Sequence, residues 1–208
     1  VTTLRRDVET DGRHAKVTFG RDWKIDAERR DFTINALSVS RDGAVFDYAG
    51  GLADLSKRKV RFIGEPRKRI EEDYLRVLRF FRFHAAYGEG VLDSDGLHAC
   101  IAARAGLAQL SRERVRMEFV KLLVAPRAAA VLEVMADTGL FGLLLDGVPN
   151  GVNFSAMAAI ETALSLPPDA MRRLAALAVL VTEDAERLAQ KLRLSNAEQA
   201  QLLSMAEG

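Results

Sequence analysis

The run Glu72-Asp73-Tyr74-Leu75-Arg76-Val77-Leu78-Arg79-Phe80-Phe81-Arg82-Phe83 sets two carboxylates ahead of three arginines interleaved with three phenylalanines. On a helix, Asp73 and Arg76 are neighbours on one face, three positions apart. As a surface ion pair they would be worth little. A helix carrying Phe80, Phe81 and Phe83 should be buried, however, and buried arginines keep partners. An Asp beside an Arg has specific chemistry to offer a nucleobase. The carboxylate accepts from an exocyclic amine, and the guanidinium donates to the adjacent ring nitrogen. Cytosine and adenine both present that edge. Uracil and guanine present a carbonyl beside an N–H, which opposes acceptor to acceptor and donor to donor. A fixed Asp/Arg pair therefore admits C and A and rejects U and G without a template.

A second constellation is Asp26-Ala27-Glu28-Arg29-Arg30-Asp31-Phe32-Thr33-Ile34-Asn35-Ala36-Leu37. Arginines suit phosphate, being permanently charged and fork-shaped. Asp31 can accept from a ribose hydroxyl, and Asn35 lies one helical turn further on. The same spacing also describes a charged amphipathic helix with Phe32, Ile34 and Leu37 turned inward. Spacing alone does not separate the two.

The elements that must position these residues change character near residue 66. Before it, short β-type runs at Val1–Val8, Ala15–Phe19, Leu37–Val39 and Val45–Tyr48 alternate with turn signals. Asp42-Gly43 makes a hairpin turn between the last two runs. A helix is expected over about Ile25–Asn35. Gly50-Gly51 and Gly64-Glu65-Pro66 read as breaks. After Pro66 the chain reads as helix throughout, with helices expected at Lys68–Tyr87, Leu97–Ala105, Ser111–Val124, Arg127–Thr138, Phe154–Ser165, Asp169–Thr182, Asp184–Lys191 and Asn196–Met205. Ser195 and Glu198 have capping-box spacing, and Asp169 follows Pro167-Pro168 as an expected N-cap. The fold class is α+β, mixed structure first and helices after.

Composition narrows the function classes. The net charge of +1 hides 19 basic against 15 acidic residues over 1–90, and 11 against 14 over 91–208. Ten basic residues fall within 57–82 against four acidic ones, a local cluster suited to a phosphate-bearing ligand or to a solvated face. The single cysteine, Cys100, forbids an internal disulfide and suits the reducing cytoplasm; it is expected to be a packing residue. No run of about 18 apolar residues occurs, so neither a membrane span nor a membrane partner is expected. Trp23 and Tyr48 have faces on which a base could stack, but as isolated aromatics they are expected in the core. No histidine follows His98, which excludes a His-Asp metal phosphohydrolase domain in the helical part.

Taken together, Thr3-Leu4-Arg5-Arg6-Asp7, Asp11-Gly12-Arg13-His14-Ala15, the Arg-Arg-Asp-Phe-Thr-Ile-Asn-Ala run, Asp47 with Gly50-Gly51 and Asp54-Leu55, Val60-Arg61-Phe62-Ile63-Gly64, and Glu72-Asp73-x-x-Arg76 resemble, in order and spacing, the class II tRNA nucleotidyltransferases and poly(A) polymerases. The resemblance is dense over 1–125. It implies a partial nucleotidyltransferase head with a mixed sheet over 1–65, a helical nucleotide-recognising neck over 66–125, and a helical, RNA-binding body over 126–208. It implies that Asp73 and Arg76 read the incoming base, that Asp31 and Arg30 hold the ribose, and that Arg29, Asn35 and Arg79 lie near the triphosphate. It assigns Asp47–Asp54 to a flexible stretch between head and neck, and the Leu110-Ser111-x-Glu113-Arg114 segment to structural support. The implied activity is template-independent addition of CMP and AMP, from CTP and ATP, to the 3′ end of tRNA in the cytoplasm. Poly(A) synthesis, CC- or A-addition, or a non-catalytic nucleotide- or RNA-binding module stay open beside it.

One part of the family pattern is missing. Nucleotidyl transfer of this kind uses Mg²⁺ held by an Asp-x-Asp pair on a strand. The chain opens at Val1, and that pair is expected upstream of it, so no catalytic or metal-binding residue is assigned and the chain alone is expected to be inactive. Asp93-Ser94-Asp95 is the one Asp-x-Asp present and reads as a loop.

Overall fold

The structure is a computed structural model and describes residues 5–10, 15–19 and 22–207. The motif positions Thr3-Leu4 and Asp11–His14 lie outside the described residues. The chain forms two compact units, Val1–Ala103 and Arg104–Gly208.

In the first unit β1 (Arg5–Thr10) pairs antiparallel with β2 (Ala15–Phe19), and the register shifts between Asp7 and Glu9. Helix α1 (Trp23–Glu28) follows, capped by Asp22, whose carboxylate accepts from the Lys24 N–H at 2.9 Å. The expected continuous helix over Ile25–Asn35 is not formed. Phe32 is extended (φ −117°, ψ 149°) and bridges antiparallel to Phe62, leaving a single 3₁₀ turn at Thr33–Asn35. Main-chain bonds from Thr33 N–H to Arg61 O and from Ile63 N–H to Asp31 O, both 3.0 Å, fix this pairing. A long-range partner has overridden the local helical pattern.

The hairpin at Asp42-Gly43 is present, joining β3 (Ser38–Val39) to β4 (Val45–Phe46), with Gly43 at φ +89°. Gly50-Gly51 opens a helix that the glycines conceal in the sequence, α2 (Gly51–Ser56). Asp47 caps it, accepting from Gly51 N–H at 2.9 Å and Leu52 N–H at 3.0 Å. A Cβ on Gly51 would sit 2.2 Å from the Thr33 carbonyl oxygen, so only glycine permits this approach.

Lys68–Tyr87 is two helices rather than one, α3 (Pro66–Glu72) and α4 (Leu75–Tyr87). Asp73 breaks them by turning extended (φ −159°, ψ 106°). Its carboxylate accepts from the Leu75 N–H at 3.1 Å, the competition with helix that makes Asp a helix starter. The apolar face of α4 packs into an aromatic core in which Phe62 lies 4.9 Å from Phe32 and 5.4 Å from Phe80, centroid to centroid. Segments on either side of residue 65 thus share one core. Helix α5 (Ser94–Ala102) completes the unit.

The second unit is helical: α6 (Arg112–Leu123), α7 (Ala128–Asp137), α8 (Leu140–Leu145), α9 (Gly151–Ala163), α10 (Ala170–Ala178), α11 (Thr182–Leu192) and α12 (Asn196–Ala206). The short α8 was not expected. The Asp169 cap and the Ser195/Glu198 capping box are both formed. Phe119, Met135, Leu140, Leu145, Phe154, Leu174 and Leu188 are buried in its core. So is Glu161, which receives Arg172 at 2.9 Å and Arg173 at 2.7 Å. Arg173 also donates to the Leu123 carbonyl at 2.8 Å, tying α10 to the end of α6. The observed architecture is α+β, with the strands confined to the first unit among the described residues.

Candidate nucleotide-binding site

The site begins with Asp26, a carboxylate only 4% exposed near the end of α1. Arg29 and Arg30 follow it by three and four residues, and helical spacing turns both back towards it. Arg29 donates through Nε at 3.0 Å and Nη2 at 2.5 Å to Oδ1. Arg30 donates through Nη2 at 3.0 Å to Oδ2, and through Nη1 at 2.9 Å to the Asn35 carbonyl. Burial raises the Asp26 pKa, but the bonds and charges of the two arginines outweigh it and hold the carboxyl below its ordinary range.

Asp31 sits where the bridge to residues 61–63 forces alternation. Phe32 enters the aromatic core, and the Asp31 carboxylate is held beside it, 6% exposed. Its Oδ1 accepts from the Phe32 N–H at 3.0 Å and from Asn35 Nδ2 at 2.9 Å. Its Oδ2 accepts from Arg79 Nε at 2.6 Å, from a residue 48 positions away. Burial raises this pKa too. The Arg79 charge and bond, with those from Asn35 and Phe32, prevail and keep the carboxylate ionised. Arg79 and Arg82 both lie over the Phe83 ring, at 5.2 and 4.4 Å.

The turn between α3 and α4 meets the same place. Arg76 Nη1 donates to the Arg69 carbonyl at 2.7 Å and pairs with Glu72, while its Nη2 reaches the Arg29 carbonyl at 3.4 Å. Arg69 donates to the carbonyls of Glu28 and, at 2.6 Å, Arg30, and pairs with Glu72 at 3.0 Å. Asp73 and Arg76 therefore do not share one continuous helical face. Asp73 occupies the break, and its main-chain carbonyl receives the Arg76 N–H at 3.0 Å.

Two segments far apart in sequence, 26–35 and 69–79, are thus joined by Arg79–Asp31, Arg76–Arg29 and Arg69–Arg30 contacts. Arg29, Arg30, Asp31, Asn35, Arg76 and Arg79 all take part, with Asp73 at the adjoining break. Three further members, Asp26, Glu72 and Arg69, had not been singled out. The spacing of Asp26 to Arg29 and Arg30 was a usable signal. Arg69 and Glu72 stand at helical i,i+3 spacing, but the Arg69 bonds to the Glu28 and Arg30 carbonyls left no signal, being made to main chain 41 and 39 positions away.

Asp93 caps α5 through the Gly96 N–H at 3.0 Å and pairs with Lys59 at 2.8 Å, so Asp93-Ser94-Asp95 serves as a helix start. Among the described residues no group of three or more His, Cys, Asp or Glu side chains is gathered as a metal would need, and the carboxylates of this site already face arginines and N–H groups. The residues here do not fit Mg²⁺. Asp54 is buried, accepting from Thr33 Oγ1 at 2.6 Å and Arg61 Nε at 3.0 Å. Cys100 is buried, and burial pushes its thiol pKa up. Trp23 and Tyr48, expected in the core, are 51% and 39% exposed and line a hollow of about 220 Å³ with Val39 and Phe46.

Residues 1–61 match the family described as "Poly A polymerase head domain", and residues 92–150 match "Probable RNA and SrmB- binding site of polymerase A". The mitochondrial CCA tRNA nucleotidyltransferase 1 of Danio rerio is 43% identical over 201 residues, 95% of this chain and 46% of that protein. The CCA-adding enzyme of Bacillus licheniformis is 40% identical over 71% of this chain and 38% of its own length. The crystal structure of the Bacillus stearothermophilus CCA-adding enzyme in complex with CTP superposes with a TM-score of 0.75 at 30% identity, covering 100% of this chain and 51% of that one. The chain spans about half the length of the curated relatives it matches.

Proposed function

Because the chain belongs to the class II tRNA nucleotidyltransferase and poly(A) polymerase family, we propose that it provides the nucleotide-selecting part of a template-independent enzyme adding CMP and AMP to the 3′ end of tRNA. One observation carries the reading. The Arg79–Asp31 contact, at 2.6 Å, brings a segment suited to phosphate and ribose against α4, the helix that carries Arg76 and starts just after Asp73. In this reading Asp73 accepts from the exocyclic amine of C or A, and Arg76 donates to the ring nitrogen beside it. Asp31, oriented by Arg79 and Asn35, accepts from the ribose, with Arg30 alongside. Arg29, Asn35 and Arg79 border the triphosphate.

Magnesium would be the metal, supplying charge stabilisation at the phosphates through carboxylates other than those described here. The partners are CTP, ATP and a tRNA 3′ end. No described helix is long and apolar enough to cross a membrane, and we assign the protein to the cytoplasm with no membrane partner.

The test is a titration of the purified chain with each of the four NTPs, followed by the fluorescence of Trp23, its only tryptophan. CTP and ATP should bind more tightly than UTP and GTP, and Asp73→Ala should erase that preference, a loss of about 1–3 kcal/mol. The same chain, given tRNA lacking its 3′ end, should transfer nothing. Equal affinity for all four NTPs would overturn the reading.

A further inference from the structure

Asp26 stands apart from every group assigned above. It is nearly buried, at 4% exposure, yet both its oxygens are spent on arginines and none on a helix cap or on the core. Helix α1 is already capped by Asp22, so Asp26 is not needed to start it. The main chain that carries the arginines is fixed independently. Arg69 donates to the carbonyls of Glu28 and Arg30, and Ile63 N–H donates to the carbonyl of Asp31. What Asp26 adds is the direction of two guanidiniums. Arg30 is further restrained by its bond to the Asn35 carbonyl, so the fork is held from both ends.

Two effects of this carboxylate on a triphosphate oppose one another. Its negative charge, beside two positive ones, weakens long-range attraction for phosphate. Its hydrogen bonds fix two long side chains that would otherwise lose rotamer freedom when a ligand arrives. At the contact distances here the ordering effect should win. Charge–charge terms at a partly exposed site are screened, whereas Asp26 meets each guanidinium through two N–H groups, Nε and Nη2, and so fixes its plane. We propose that Asp26 is a positioning residue, which pre-orients Arg29 for the phosphates of the bound nucleotide and Arg30 beside its ribose. This rests on the nucleotide-selecting reading.

The two effects predict opposite signs, which makes the proposal testable. Asp26→Asn removes the charge and half of the paired acceptors, while Asp26→Glu retains a carboxylate on a longer arm. CTP and CMP affinities would be measured by calorimetry on the full chain, with a thermal melt of each variant. Asp26→Asn should weaken CTP by about tenfold while moving CMP much less, so that the CTP/CMP ratio falls. Asp26→Glu should recover part of the ratio. Tighter CTP binding by Asp26→Asn would show that the carboxylate only shields the arginines, and overturn the proposal. An equal loss for CTP and CMP would show a general structural role, and overturn it as well. Failure of the unaltered chain to bind CTP would instead remove the nucleotide reading itself, and the positioning role with it.

Discussion

Asp31 joins the folding of the first unit to its chemistry, because its carboxylate is both a buried partner of Arg79 and the group offered to a ribose. A 2′-hydroxyl donating to it favours a ribonucleotide, and a deoxynucleotide leaves the acceptor less well satisfied. Asp31→Ala should therefore narrow the gap between CTP and dCTP binding by about 1–3 kcal/mol, chiefly by weakening CTP; equal losses would make Asp31 a scaffold residue. The same carboxylate predicts a pH dependence. Its folded pKa is depressed by Arg79, Asn35 and Phe32 against the opposing effect of burial. The stability it contributes is complete above the unfolded value of about 3.9 and is lost as pH falls through the folded one. Urea unfolding at a series of acidic pH values should show a shallower decline for Asp31→Asn than for the unaltered chain.

The elements around the site depend on approaches that a local reading does not reveal. Gly51 is the sharpest case. A methyl group there meets the Thr33 carbonyl at 2.2 Å and its carbon at 2.8 Å, so α2 must shift away from the 3₁₀ turn that follows Asp31. Gly51→Ala should cost about 1–3 kcal/mol in urea unfolding, whereas Gly142→Ala, with open space at its Cβ, should cost far less. Features closed within a few residues were legible in the sequence: the Asp42-Gly43 hairpin, the Asp169 cap, and the Ser195/Glu198 box. Those set by distant partners were not. Phe32 is extended because Phe62 pairs with it, and no local periodicity records that. Asp73 breaks a helix whose apolar pattern runs on either side of it. The site residues could be named from their motifs, but their convergence across 48 positions, from Asp31 to Arg79, appears only in the fold.

Across the whole molecule, charge is used differently in the two units. In the helical unit the buried group Glu161, 1% exposed, is answered by Arg172 and Arg173 and by the Asp169 N–H. Glu161→Ala would leave Arg173, itself 7% exposed, charged and without its carboxylate. That should destabilise by about 3–5 kcal/mol, read as a fall in the urea midpoint of the helical signal. In the first unit, five guanidiniums (Arg29, Arg30, Arg69, Arg76 and Arg79) interleave with four carboxylates (Asp26, Asp31, Glu72 and Asp73). The cluster's formal excess is a single positive charge, five minus four, in a chain whose own net charge is +1. Such an arrangement projects almost no monopole field into solvent. A polyanion passing at more than a Debye length, about 8 Å at physiological ionic strength, feels little pull from it. Encounter is therefore left to diffusion, and discrimination begins only on contact, when ligand oxygens compete with the protein's own carboxylates for donors already aimed.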